Sequence, residues 1–427
     1  MFTGIRLDKA PALHIPFRFF LTAPLFGVFA GLVILLQGEA PFQSSWEMEM
    51  FALTHLMTLG WLTMIMFGAY YQMLPVLAGI SVPFIFLAKA VHFLLVIGII
   101  SLYAAFHFSV PLFFKVAFVS FLFAFPLFFV PIFISLFFGS RGKPTVWAMR
   151  ISVISLIINS VLGLLFLWNY SFALDSFTIQ LSVRRDYLIV LHASYGLVGW
   201  MLTLLIGIGF HVIPMFYLTP PFNEKKASQI LLGILLTLVF LPIALFEIER
   251  TWAVYLSFLP AFFGLIIFVG EIFNLLKRRK RKVKDPTILF WETGMIIFYF
   301  VGGYFFLTSL VNDNKVFITV VGFLLFGVIG AIINGMLYKV IPFLVWFHRI
   351  SAFIGKIPTP TMKDIISDHK GFTQWKVYLA ALLFLGVGIA LQSPLLLRVA
   401  GGLMIASYAY LFWIVVTAAR IKMNEKG

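Results

Sequence analysis

Long apolar runs separated by short polar segments dominate the chain. A helix that crosses a bilayer needs about 20 mostly apolar residues, and the pattern offers about twelve such runs. The predicted spans cover residues 16–37, 51–75, 82–106, 109–138, 145–168, 187–214, 227–247, 251–276, 287–310, 316–346, 375–392 and 394–420. Because each run is continuously apolar rather than alternating, a membrane β-barrel is excluded. The pattern predicts an all-α, polytopic membrane protein in which residues 1–427 form one membrane domain.

Composition supports this prediction and removes several classes of function. Hydrophobic residues make up 62% of the chain and charged residues 11%, whereas a soluble domain has about 45–50% and about 25%. One globule cannot bury that excess, so the bilayer is the main partner and a water-soluble enzyme is excluded. The chain has no cysteine, which excludes disulfides, cysteine zinc sites, iron–sulfur clusters and thiol catalysis.

Charge predicts the orientation in the membrane. The loop between the eighth and ninth spans carries seven basic residues in positions 277–284, and Lys143 lies in a loop on the same side. Glu39, Glu47 and Glu49 lie in a loop on the opposite side. Because basic loops stay in the cytoplasm, both termini are predicted to be cytoplasmic and the protein to lie in the inner (plasma) membrane. The basic run is interpreted as a topology anchor, with binding of anionic lipid headgroups as an alternative. Despite the net charge of +15, nucleic-acid binding is not predicted, since one short loop makes too few phosphate contacts.

A threefold repeat is visible in the second, sixth and tenth spans. Each contains a glycine, seven residues, a second glycine, six residues and a proline. The matched residues are Gly60, Gly68 and Pro75, then Gly199, Gly207 and Pro214, then Gly327, Gly335 and Pro342. The repeat predicts three four-helix units covering residues 1–144, 145–286 and 287–427. Each proline is predicted to end its helix at the cytoplasmic face, because it cannot continue the hydrogen-bond ladder.

Two histidines are the main candidates for a metal or cofactor site. His55 and His192 each lie just inside the predicted outer end of a repeat span, and a metal-binding side chain in the membrane is by default a functional hypothesis. Neutral imidazole is a common ligand of iron and copper. The helix face of His192 includes Gly196 and Gly199, which are expected to leave room for a flat macrocycle. The alternative is that each histidine only hydrogen-bonds to a neighbouring helix.

Two further residues are weaker metal candidates. His211 lies 19 residues after His192, or about 28 Å along a helix at about 1.5 Å per residue. The two therefore cannot share a metal, and His211 is interpreted as a hydrogen-bonded interfacial residue with a ligand role as the alternative. Met57 lies near His55 in a segment rich in methionine. Thioethers beside an imidazole suit Cu(I), although a chain with 15 methionines also clusters some by chance.

These features resemble haem–copper oxidase subunit I and its short relatives, including the NnrS family. The motifs that carry the resemblance are Pro16–Phe20, His55–Pro75 and His192–Phe216, within twelve spans arranged as three four-helix units. The resemblance implies that His55 is an axial ligand of a low-spin haem and that His192 is a copper ligand. It also implies haem and copper as cofactors and, for NnrS-like proteins, a link to nitric oxide.

The chain departs from the oxidase pattern in two spans. The family has a histidine pair on the seventh span and two ligand histidines on the tenth. Here residues 227–247 contain no histidine, and the tenth span has none within the membrane. Gly322 stands where the repeat would place a counterpart of His55. A complete oxygen-reducing centre is therefore not predicted, and no catalytic residue is assigned.

The sequence leaves three classes of function open. The first is a membrane haem protein, with b-type haem near the outer face, that binds a small ligand such as NO or transfers electrons to a redox partner. The second is a membrane transporter or copper-handling protein with no haem. The third is an assembly subunit with no chemistry of its own.

Overall fold

The computed structural model describes residues 10–44, 46–79, 81–138, 142–172, 184–308 and 315–421. In this part of the chain 12 helices are long and apolar enough to cross a membrane, and no β-strand occurs. The predicted all-α polytopic fold is confirmed. The membrane-length helices α1 to α12 are His14–Gln37, Met48–Val76, Ile85–Phe108, Pro111–Phe138, Pro144–Phe172, Arg185–Tyr217, Glu224–Ile248, Thr251–Lys277, Pro286–Leu307, Ile318–Arg349, Asp368–Leu391 and Pro394–Arg420.

The largest difference from the predicted spans is at the start of α11. The apolar run predicts a start at residue 375, but the helix begins at Asp368. Its first turns contain Asp368, His369 and Lys370. These residues are too polar to be counted in a membrane span by hydropathy. An acidic residue in the first turn is favourable because the helix N-terminus carries partial positive charge. The helix therefore extends beyond its apolar part.

The prediction that three repeat prolines end their helices is wrong. Pro75, Pro214 and Pro342 all lie inside helices. The helix of Pro75 runs past the membrane-length part of α2 to Ala78, and the other two continue to Tyr217 and Arg349. A proline removes one hydrogen bond and displaces one carbonyl. In a membrane bundle, neighbouring helices and side chains can satisfy the freed groups, so a helix tolerates it.

The helices fall into two compact units. The first consists mainly of residues 70–282, which include α3 to α8 and the C-terminal end of α2. Helices adjacent in sequence pack as antiparallel neighbours: α3 with α4, α4 with α5, α5 with α6, and α7 with α8. Small residues allow close approach, as at Gly264, where a Cβ would lie 3.1 Å from the carbonyl oxygen of Ile230.

The second unit consists of residues 11–69 and 283–427. It contains α1, most of α2 and α9 to α12. Helix α12 packs on both α1 and α11, and α9 packs on both α10 and α11. The backbones of α1 and α12 touch directly, since a Cβ on Gly401 would lie 2.7 Å from the carbonyl oxygen of Gly31. This contact leaves no room for a side chain between the two helices.

An ion pair connects the start of α9 to α10 within the second unit. The Lys339 ammonium donates a hydrogen bond to Asp285, and the two side chains are 19% and 17% exposed. Asp285 also accepts bonds from the backbone N–H of Thr287 at 3.0 Å and from its hydroxyl at 2.7 Å. Burial raises the pKa of Asp285. The charge and hydrogen bond of Lys339, together with the bonds from Thr287, lower this pKa by more than burial raises it. The net pKa of Asp285 therefore lies below its ordinary value.

This pair predicts a pH-dependent contribution to stability. Because the folded-state pKa lies below the unfolded value, the carboxylate stabilises the fold above about pH 3.9, and this contribution is lost as pH falls through the folded-state pKa. Asp285→Asn is expected to lower the free energy of unfolding by roughly 1–3 kcal/mol at neutral pH. Melting curves in detergent between pH 7 and pH 3 should show wild type and variant converging. Glu224→Gln, at an exposed carboxylate, serves as the control, and a constant difference at all pH values would contradict the prediction.

Candidate functional site

The three repeat helices share an unusual local structure. Each contains a π-helical segment of eight residues, namely Leu56–Thr63 in α2, Tyr195–Leu202 in α6 and Phe323–Gly330 in α10. The first repeat glycine is the fifth residue of every segment. π-Helical turns are rare and occur frequently at functional sites. The repeat is therefore visible as local structure in these helices, while the division into three four-helix units stays a prediction.

His55 lies in the second unit, directly before the π-helical segment of α2. Its Nδ1 is 2.7 Å from the carbonyl oxygen of Phe51, one turn earlier, and the side chain is half-buried. A carbonyl oxygen can only accept, so Nδ1 carries the hydrogen and donates it. In the neutral ring the lone pair is then on Nε2. Metal-binding histidines typically have this arrangement, in which the other ring nitrogen is held by a carbonyl or carboxylate.

His192 lies in the first unit and has the same tautomer. Its Nδ1 is 3.1 Å from the carbonyl oxygen of Asn159 on α5, so it donates there and the lone pair is again on Nε2. The imidazole packs edge-on against Phe166 at 5.7 Å between ring centroids. It also lies over Gly163, where a Cβ would be 3.1 Å from its Cε1. Helix α5 thus fixes the position and the tautomer of this ring.

The two glycines next to His192 do not leave room for a macrocycle. A Cβ on Gly196 would lie 3.2 Å from the Oδ1 of Asn159, and one on Gly199 would lie 2.5 Å from the Oγ of Ser155. Both glycines therefore face α5 at close range. The expectation that Gly196 and Gly199 leave room for a macrocycle is therefore wrong. Small residues in membrane helices commonly allow close helix packing, and their spacing in the sequence does not show which helix they face.

The other candidate residues do not form a metal cluster. Met57 is fully buried in the π-helical segment that follows His55. The Nε2 of His211 is buried and has no hydrogen-bond partner among the described residues. Within the described part of the chain, no group of three or more His, Asp or Glu side chains is placed to hold a metal ion. His55, His192, Met57 and His211 therefore stay predictions as ligands.

Gly322 differs from the other glycines in its surroundings. It directly precedes the π-helical segment of α10, as His55 precedes that of α2. Gly322 is buried, yet no heavy atom of the described residues lies within 4 Å of the position that a Cβ would take. The two π-helical segments contact each other in the second unit. His55 and Gly322 thus occupy equivalent positions on neighbouring helices, with open space beside the glycine.

The chain is similar to a solved haem–copper terminal oxidase, determined as a dimer by cryo-electron microscopy. The TM-score is 0.69 at 12% sequence identity, over 98% of this chain and 86% of that chain. No protein-family model matches the chain, and no curated protein matches its sequence. At this identity the similarity shows the fold alone, and it confirms the oxidase-like membrane fold expected from the sequence motifs.

Sequence reasoning missed the groups that hold the two histidines. For His55 the partner is a carbonyl four residues earlier in the same helix, which the helix geometry itself makes available. For His192 the partner is the backbone carbonyl of Asn159 on another helix. A backbone partner cannot be predicted from the identity of the side chain at that position. The sequence shows Gly163 only as a small residue in the preceding span, and it does not show that the His192 ring packs over this glycine.

Proposed function

We propose that this protein binds b-type haem in its membrane domain through His55 or His192, with copper as a secondary cofactor. The observation that carries the proposal is a shared geometry: in both imidazoles Nδ1 lies within hydrogen-bond distance of a backbone carbonyl oxygen, which favours the tautomer with Nε2 as the basic nitrogen. The oxidase-like fold supports it as the architecture of a membrane haem protein. Either histidine would hold the haem iron through its Nε2.

His55 is the better ligand of the two. Its counterpart on α10 is the buried Gly322, beside which the described residues leave open space. Around His192, by contrast, the helix face that includes Gly199 is packed against Ser155 of α5. The proposal therefore places the planar group beside His55 and Gly322 rather than beside His192.

The chemistry favoured by these residues is the binding of a small ligand such as NO. Haem iron with one histidine keeps a coordination position for such a ligand, whereas two histidines suit electron transfer. The chain's contribution is to hold the His55 ring and its tautomer through the carbonyl oxygen of Phe51. Gly322 cannot supply a second ligand. Oxygen reduction is not part of the proposal, because α7 has no histidine and the only one on α10, His348, lies at its C-terminal end.

The proposal is tested by the absorption spectrum of protein purified in detergent after expression with ample haem. A Soret band and about one haem iron per chain are expected. His55→Ala is expected to reduce haem content at least about tenfold, since loss of support to a metal ligand alone costs about 10–100-fold in affinity. His192→Ala tests the second candidate, and His369→Ala, at an exposed residue, should leave the band unchanged.

Each other outcome contradicts the proposal. Absence of a Soret band overturns it. Stoichiometric copper without iron would favour the copper-handling alternative. A stable co-purified partner with neither metal would indicate an assembly subunit.

A further inference from the structure

Six consecutive basic residues follow the last apolar turn of α8 in the first unit. They come directly after Leu275 and Leu276, which are buried. A membrane helix leaves the hydrocarbon where its apolar residues end, and basic residues at that point lie among the lipid headgroups. These six residues are called the basic segment here: Lys277, Arg278, Arg279, Lys280, Arg281 and Lys282.

Two hydrogen bonds attach the basic segment to the ends of α6 and α8. The backbone N–H of Lys280 donates to the carbonyl oxygen of Leu218, the residue after α6, at 3.1 Å. The Nη1 of Arg279 donates to the carbonyl oxygen of Leu276 at 2.8 Å, and a cation is favourable at the C-terminus of a helix. The basic segment is therefore held against the first unit at both helix ends.

The basic segment has no counter-ion among the described residues. No described carboxylate forms an ion pair with any of its six side chains, and all except Arg279 are exposed. The nearest acidic residues in the sequence are Glu271 before it and Asp285 after it. Glu271 is already paired with Lys226 at 2.5 Å, and Asp285 is already paired with Lys339.

The unpaired positive charge indicates that an anion binds from outside the chain. Neighbouring charges of one sign repel one another, and the two hydrogen bonds keep the basic segment from moving away from the helix ends as a free tail would. An external anion reduces this repulsion. It also supplies the acceptors that exposed guanidinium and ammonium groups can use.

The side chains of the basic segment define the anion. Guanidinium groups bind the oxygens of a phosphate in pairs, and an ammonium group binds phosphate as a point charge. An apolar side chain lies at the same place, because Leu218, whose carbonyl oxygen holds Lys280, is 52% exposed. A ligand with both a phosphate and a hydrocarbon chain matches this combination better than a free phosphate does.

We propose that the basic segment binds the phosphate headgroups of anionic phospholipids. The exposed arginines and lysines contact the phosphates, and the acyl chains lie beside Leu218 and the apolar end of α8. Each basic residue near an anionic membrane surface contributes about fivefold in affinity. The site needs no haem, so its test is independent of the proposed function.

Lipid binding by the delipidated protein in detergent tests the proposal. In native mass spectrometry the wild type is expected to retain phosphatidylglycerol at least about tenfold more strongly than phosphatidylcholine, whose headgroup has no net charge. The combined substitutions Arg278→Gln, Lys280→Gln and Arg281→Gln should remove this preference. They leave Arg279 and its hydrogen bond to Leu276 in place, so α8 keeps its contact at the C-terminus.

A matched variant separates the basic segment from net charge. Lys356→Gln, Lys376→Gln and Arg420→Gln together remove the same charge from three exposed residues of the second unit. This variant should keep the preference for phosphatidylglycerol. Loss of the preference in both triple variants would overturn the proposal, because net charge alone would then explain lipid binding.

Two results with the wild type alone would also overturn the proposal. Equal retention of the two lipids would mean that the basic segment acts only as a topology anchor. Displacement of phosphatidylglycerol by millimolar inorganic phosphate, at an ionic strength held constant with potassium chloride, would indicate a site for free phosphate. If the basic-segment variant does not fold, the salt dependence of the wild type decides. Its affinity for phosphatidylglycerol should fall as salt screens the exposed charges, and an affinity independent of salt would contradict the proposal.

Discussion

Gly401→Val is expected to abolish recovery of folded protein. A Cβ at this position would lie 2.7 Å from the carbonyl oxygen of Gly31 and 2.9 Å from the Cα of Leu35. These atoms belong to the backbone of α1, so no side-chain rotation can relieve the clash. Adding even one methyl group to a packed interior costs typically about 1–3 kcal/mol, and a branched side chain adds two more carbons. Gly401→Ala should therefore already lower the melting temperature, while Gly401→Val should prevent α1 and α12 from packing.

The adjacent residue provides the control. No heavy atom of the described residues lies within 4 Å of a Cβ built on Gly402, so Gly402→Val adds the same atoms to the same helix without a clash. Size-exclusion chromatography of the detergent extract, followed by thermal melting, should give a monodisperse peak for the Gly402 variant and aggregate for the Gly401 variant. Equal behaviour of the two variants would show that the contact between α1 and α12 is not close in the protein.

The spans were predictable because the bilayer imposes a minimum length on apolar runs. Each of the twelve predicted spans corresponds to a membrane-length helix, since a run of about 20 apolar residues has few other stable structures in lipid. Helix ends were less predictable. Asp368 begins α11 in a polar segment, and Pro342 lies well inside α10. Both depend on local hydrogen bonding that hydropathy does not report.

The candidate site was predictable in its residue types but not in its surroundings. The repeat drew attention to His55 and His192, and it pointed to three of the four helices that carry a π-helical segment among the described residues. It could not show that Gly196 and Gly199 face α5, because the same small residues can pack a helix or line a cavity. The contrast with Gly322, which is buried beside open space, comes only from the packing.

Gly322→His is expected to close the coordination position that the proposed function leaves open on haem iron. Gly322 and His55 directly precede the π-helical segments of neighbouring helices, α10 and α2. The Cβ of a histidine at position 322 would lie in space that the described residues leave there. The wild type should bind carbon monoxide, used as a probe of the open position. The variant should keep its Soret band but lose carbon monoxide affinity by at least about tenfold, because the probe must then displace a histidine.

The control for this substitution is Gly303→His. Gly303 on α9 also has no heavy atom of the described residues within 4 Å of its Cβ position, but it is only half-buried and has no place in the repeat. That variant should bind haem and carbon monoxide as the wild type does. Full carbon monoxide binding by Gly322→His, or a wild type whose haem binds none, would contradict the open position beside Gly322. A protein without any Soret band would instead contradict haem binding itself, so the two failures are distinguishable in one set of spectra.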